Sequence, residues 1–174
     1  MDLKIIFNLQ KDLLKAILYE KHKDWYVSEG TNHIAILQKT WVTFIPKKDF
    51  YLDYRKISEK VHEYKRFCEN CLQLYQAAIK IPLIYLTSTN IHLPNEAGKE
   101  KEVAVDIFEE DVASGKRIYI NSKLLRYLPE SYGYYNFISL KESNMIFITD
   151  KKDNIIMAAM PIKLIGGNQH EKIN

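Results

Sequence analysis

The sequence predicts an α+β domain in which two strand–helix–three-strand units flank one long helix. Three observations predict it. Short runs of alternating apolar residues, rich in β-branched and aromatic types, cluster toward both ends of the chain. Near each end, one of these runs gives way to a helical pattern. Between the ends, Ile57, Val61, Tyr64, Cys68, Cys71, Tyr75 and Ala78 keep a 4-3-4-3-4-3 spacing, the seam of a helix over about 55–81. With 47% hydrophobic residues in 174, the chain can bury one substantial core, so a single domain over 1–165 is expected.

Leu3 to Asn8 reads as an opening strand that passes into a helix from about Leu9 to Lys21. Leu13, Leu14, Ile17 and Leu18 make its apolar face, and Lys11, Lys15, Tyr19 and His22 its wet one. Trp25–Val27, His33–Leu37 and Trp41–Ile45 follow as an antiparallel meander, separated by Glu29-Gly30-Thr31-Asn32 and Gln38-Lys39-Thr40. Lys47-Lys48-Asp49 breaks this texture. Pro82 closes the long helix, because proline lacks a backbone donor and disfavours helix at the residue before it. A strand at Leu83–Thr87 follows, and polar residues from Pro94 to Glu102 read as an exposed connection.

Val103–Phe108 and Arg117–Ile120 are further strands. Asn121-Ser122 caps a short helix whose buried face is Leu124, Leu125 and Leu128, and whose outer face is Lys123, Arg126 and Tyr127. Strands at Asn136–Leu140, Met145–Thr149 and Ile155–Ile162 close the pattern, and residues 166–174 read as a disordered tail.

Charge interrupts every apolar stretch, which excludes a membrane-spanning helix, and no secretory leader is evident; a cytoplasmic address follows. Phosphate-cradling loops, nucleophile elbows and zinc-protease motifs are absent from the sequence. Cys68-Glu69-Asn70-Cys71 has the spacing of a thiol-exchange or zinc half-site, yet both sulfurs fall on an apolar helical seam, where free cysteine behaves as a small hydrophobe. Glu109-Glu110-Asp111 reads as a solvated acidic turn, and His33 and His92 as hydrogen-bonded strand residues. The chain is therefore expected to bind rather than catalyse, with no cofactor and no metal. A formal charge of +3 permits contact with nucleic acid without indicating it.

Ile118-Tyr119-Ile120-Asn121-Ser122-Lys123-Leu124-Leu125 resembles the strand entering the second helix of the bacterial DNA sliding clamp, the beta subunit of DNA polymerase III. Met160-Pro161-Ile162-Lys163-Leu164 is similar to that family's Met-Pro-Met-Arg-Leu ending. Gln10–Ile17 resembles its first helix, and Val27-Ser28-Glu29-Gly30 with His33-Ile34-Ala35 its following strand turn, with Thr31 and Asn32 as two extra residues. The similar parts cover residues 1–46 and 103–165. The long helix has no counterpart.

The resemblance implies a DNA-clamp-like domain of two βαβββ halves with an inserted long helix. It implies sequence-independent contact of Lys11, Lys15, Lys123 and Arg126 with duplex DNA, and a peptide groove walled by Met160, Pro161, Ile162 and Leu164 that receives replication proteins. A clamp chain has three such domains and this one has one, so a ring would take about six copies closing head to tail, a homo-oligomer. A phage or mobile element would be a natural source. The alternative is a protein-interaction or oligomerisation module acting through the 55–81 helix, with no DNA role.

Overall fold

The computed structural model describes residues 3–94, 99–110, 115–128, 132–141 and 143–162. The fold departs from the expected pair of halves around a long helix. Its described residues form one continuous, mixed, ten-stranded sheet with short helices on both faces.

Helix α1 spans Leu3–Leu18, so the expected opening strand is helical from its first described residue. Ile5, Ile6, Leu9, Leu13 and Ala16 recur at helical spacing and are all buried, and that long apolar stripe outweighs the β-branched texture of its first turn. Leu14 and Leu18, expected inside, are exposed.

Strands β1 (Trp25–Glu29), β2 (His33–Gln38) and β3 (Trp41–Pro46) form the expected meander. The expected long helix is broken in three: α2 (Tyr54–Ser58), the two-residue strand β4 (His62–Glu63) and α3 (Phe67–Ala77). Asp53 caps α2 by accepting from the N–H groups of Arg55 and Lys56. The chain then straightens and pairs parallel with β1, aligning Tyr26 with His62, and the Tyr64 N–H donates to the Val27 carbonyl at 2.8 Å. Arg66, in the left-handed region at φ 62°, turns the chain into α3. The single seam read from the sequence is thus divided: Ile57 and Val61 pack on one side of the sheet, Cys68, Cys71 and Tyr75 on the other.

Strand β5 (Lys80–Pro94) starts before Pro82 and pairs with β6 (Glu100–Glu109) through Pro94 opposite Glu100, so both ends of the expected connection belong to a ribbon; residues 95–98 lie outside the described residues. Strand β7 (Arg117–Asn121) leads to a 3-10 helix, Ser122–Tyr127, in place of the expected α-helix. Asn121 caps it by accepting from the Lys123 N–H at 3.0 Å. Strands β8 (Tyr135–Leu140), β9 (Ile146–Asp150) and β10 (Ile155–Ala159) complete the sheet.

The strand order is β4-β1-β2-β3-β10-β9-β8-β5-β6-β7, and β3 pairs with β10 through Val42 opposite Ala158. That junction fuses what the sequence suggested were separate halves. Beyond β10 the Ile162 N–H donates to the Tyr119 carbonyl at 2.7 Å, so the exiting chain reaches β7 and the sheet curls around one face.

Alternation along the strands separates two cores. Trp25, Trp41, Ile146, Ile148 and Phe137 face α1, α2 and the 3-10 helix; Leu124 and Leu125 of that helix and Leu128 just after it are buried there. Val42, Phe44, Phe147, Ile138 and Leu140 face α3. The molecule is three-layered, with α1 touching the 3-10 helix on one side and α3 crossing β1 and β2 on the other. No helix among the described residues is long and apolar enough to cross a membrane.

Candidate functional site: an aromatic groove beside α3

The α3 face of the sheet is covered only in part. Toward the β2–β3 hairpin an open groove of about 400 Å³ remains, lined chiefly by Tyr26, Leu37, Tyr64, Phe67, Met145 and Met160. Four rings form a ladder, three of which, Tyr26, Tyr64 and Phe67, line the groove. His62 stacks on Tyr26 at 5.8 Å, Tyr26 on Tyr64 at 4.8 Å with planes 17° apart, and Tyr64 lies 6.3 Å from Phe67. The parallel pairing of β4 with β1 creates this ladder, because it sets Tyr26 between His62 and Tyr64, which point the same way from their strand.

Further lining comes from strand ends. Met160 follows β10 and is anchored by its N–H, which donates to the Thr40 carbonyl at 2.7 Å; its side chain is 50% exposed. Met145 precedes β9, its N–H bonded to the Ser143 hydroxyl at 3.0 Å. Tyr64 is 49% exposed, so aromatic and thioether surface both face solvent across the groove. Asp24 and Lys39, ion-paired at 3.6 Å and well solvated, belong to its rim. The chemistry of such a lining is apolar contact with adaptable shape: methionine repacks readily, and aromatic faces take aliphatic or cationic groups.

The groove residues expected from the sequence separate here. Met160 lines the groove, Pro161 is partly buried, and Ile162 leaves to bridge β7. Leu164 lies outside the described residues. Tyr26, Tyr64, Phe67 and Met145 were missed; the signal was the aromatic spacing in Tyr64-Lys65-Arg66-Phe67, hidden inside a seam read as helix.

Among the expected DNA-contacting residues, Lys11 and Lys15 are exposed on α1 and Lys123 is exposed at the start of the 3-10 helix. Contact between the two helices places all three on one side of the sheet. Arg126 falls within the 3-10 helix, and its side chain lies outside what the structure describes.

Both cysteines are buried under α3, and burial pushes Cys68 up to about 12 and Cys71 to about 11. Neither is available as a thiolate nucleophile. Among the described residues no cluster of His, Cys, Asp or Glu has the arrangement of a metal site. Glu110, expected to be solvated, instead accepts from Lys116 at 2.5 Å and from the Ser139 hydroxyl at 2.9 Å; Asp111 is outside the described residues. His92 is exposed on β5.

A second cavity, of about 390 Å³, runs along α3 from Glu69 to Gln76 and mixes polar and apolar lining. There the Tyr75 hydroxyl donates to Asp153 at 2.5 Å, and Lys80 pairs with Asp153 at 3.4 Å and sits 4.0 Å over the Tyr75 ring. Burial and the Asp153 hydrogen bond hold Tyr75 well above the ordinary tyrosine range, so its phenol stays protonated and cannot act as a base. Burial depresses His33 against the opposing pull of Glu69. These groups satisfy one another and brace α3 against the β9–β10 turn.

No protein-family model, curated protein or solved structure matches this chain.

Proposed function

We propose that this chain is a protein-binding module whose aromatic groove receives a short apolar segment of a partner. The supporting observation is Tyr64, half-exposed within a stacked ring ladder and lining the same groove as the half-exposed Met160. Apolar side chains left in solvent gain about 1.5–3 kcal/mol each when fully covered. Two or three anchors suffice for useful affinity once the ordering cost of a peptide is subtracted. Replication proteins, the partners implied by the sequence resemblance, are one source of such segments.

Duplex DNA is the second reading, favoured by the placement of Lys11, Lys15 and Lys123 on one side of the sheet. It is the weaker one. Phe7, Leu14 and Leu18 are exposed on the same helix and would be left against a phosphate backbone.

Selection from randomised displayed peptides tests the groove. Enriched peptides should carry paired apolar anchors, and Tyr64→Ala or Met160→Ser should each weaken them by about tenfold, ~1.4 kcal/mol. Failure to enrich any peptide, or enrichment indifferent to both substitutions, would remove the groove from consideration. Salt-sensitive binding to duplex DNA, reduced by Lys11→Glu with Lys15→Glu, would favour the second reading instead.

A further inference from the structure

The outer side of α1 carries a pattern that the core does not use. Opposite its buried stripe, Phe7, Lys11, Leu14 and Leu18 follow a 4-3-4 spacing, the seam of a coiled-coil helix, with Lys15 beside it. Phe7 is 61% exposed and Leu18 76%, with Leu14 also exposed. The first turn carries no acid, and the helix's one acid, Asp12, is partly buried off the seam. Among the described residues neither Lys11 nor Lys15 forms an ion pair.

We propose that this seam docks an acidic amphipathic helix of another protein, with apolar heptad positions against Phe7, Leu14 and Leu18 and carboxylates facing Lys11 and Lys15. Charge complementarity selects this occupant. A second copy of α1 would bring lysine into the contact with no carboxylate to meet it. A bilayer would take Lys11 down with the apolar side chains, since it sits between Phe7 and Leu14 on the seam. A duplex would match the lysines and strand the three apolar side chains. An acidic helix satisfies both, and the groove lies on the opposite face of the sheet, so the two surfaces read out independently.

The test uses the full chain and a synthetic three-heptad peptide with leucine at the a and d positions and glutamate at e and g. Its twin carries lysine in place of glutamate; a short DNA duplex and phosphatidylserine vesicles are further probes. The glutamate peptide should bind about tenfold or more tightly than its twin. Leu14→Ser with Leu18→Ser should abolish binding without lowering the melting temperature, and Lys11→Glu with Lys15→Glu should invert the preference toward the lysine peptide. Inversion is the decisive arm, because a folding defect cannot produce it. Tighter binding of duplex or vesicles, self-association lost on Leu18→Ser, an unchanged preference after charge reversal, or no binding to any probe would each overturn the proposal.

Discussion

Two stretches of the same sheet face meet different fates. Beneath α3, Phe147, Ile138 and Leu140 are covered by Cys68, Cys71 and Tyr75, with Tyr75 lying 5.1 Å from the Phe147 ring. A few residues away, where α3 begins, Tyr64 and Met160 stand half-exposed over a groove. The apolar chemistry is alike in both. What differs is coverage, and the difference separates side chains that hold the fold from side chains free to hold something else.

The largest effect should come from the covered stretch. Phe147→Ala removes a fully buried ring and should cost about 3–5 kcal/mol in denaturant unfolding. A loss as small as that of an exposed residue would mean that α3 does not seal this face. Gly30→Ala should come next, at about 1–3 kcal/mol, because its new Cβ would lie 2.9 Å from the buried Cys68 sulfur and push on the first turn of α3.

The thiols under α3 give a pH dependence. Their folded pKa values lie above the ordinary 9.0, so the unfolded chain loses these protons first. Their contribution is complete below pH 9 and declines as pH rises from there toward about 11 for Cys71 and 12 for Cys68. Alkylation of the native protein at mildly alkaline pH should run at least about tenfold slower than that of the unfolded chain. Equal rates would show that the covered stretch opens freely.

At the uncovered stretch, substitutions should hardly register in stability. Tyr64→Ala and Met160→Ser should each shift unfolding by only about 0.5 kcal/mol. A Tyr64→Ala loss approaching that of Phe147→Ala would assign the ring ladder to the fold and erase the contrast between the two stretches.

The strands were legible in the sequence because alternation and turn chemistry agree locally. Gly30-Thr31-Asn32 and Lys151-Lys152-Asp153-Asn154 punctuate runs that do form β1, β2, β9 and β10. The assembly of those strands was not legible. Pairing of Val42 with Ala158 joins residues far apart in the chain, and no local pattern announces it. The long helix failed for a related reason: Ile57, Val61, Cys68 and Cys71 share a helical spacing by coincidence while serving opposite faces of the sheet. Backbone pairing of His62 with Tyr26 overrides local propensity there. The same pairing builds the ring ladder, so the misread segment is also where the candidate site was missed. On α1 Lys11 and Lys15 are exposed, as the helical spacing predicts, but the buried stripe is rotated from the one it predicts; Leu13 is buried whereas Leu14 and Leu18 are not.

The contrast between covered and open apolar surface is tested most directly by methionine-methyl NMR. Met145 and Met160 line the groove, while Met157 is fully buried in the opposite core and serves as the internal reference. Titration with a groove-selected peptide should move the Met145 and Met160 methyl signals and leave Met157 in place. Movement of all three together, or of none while the peptide demonstrably binds, would contradict the account.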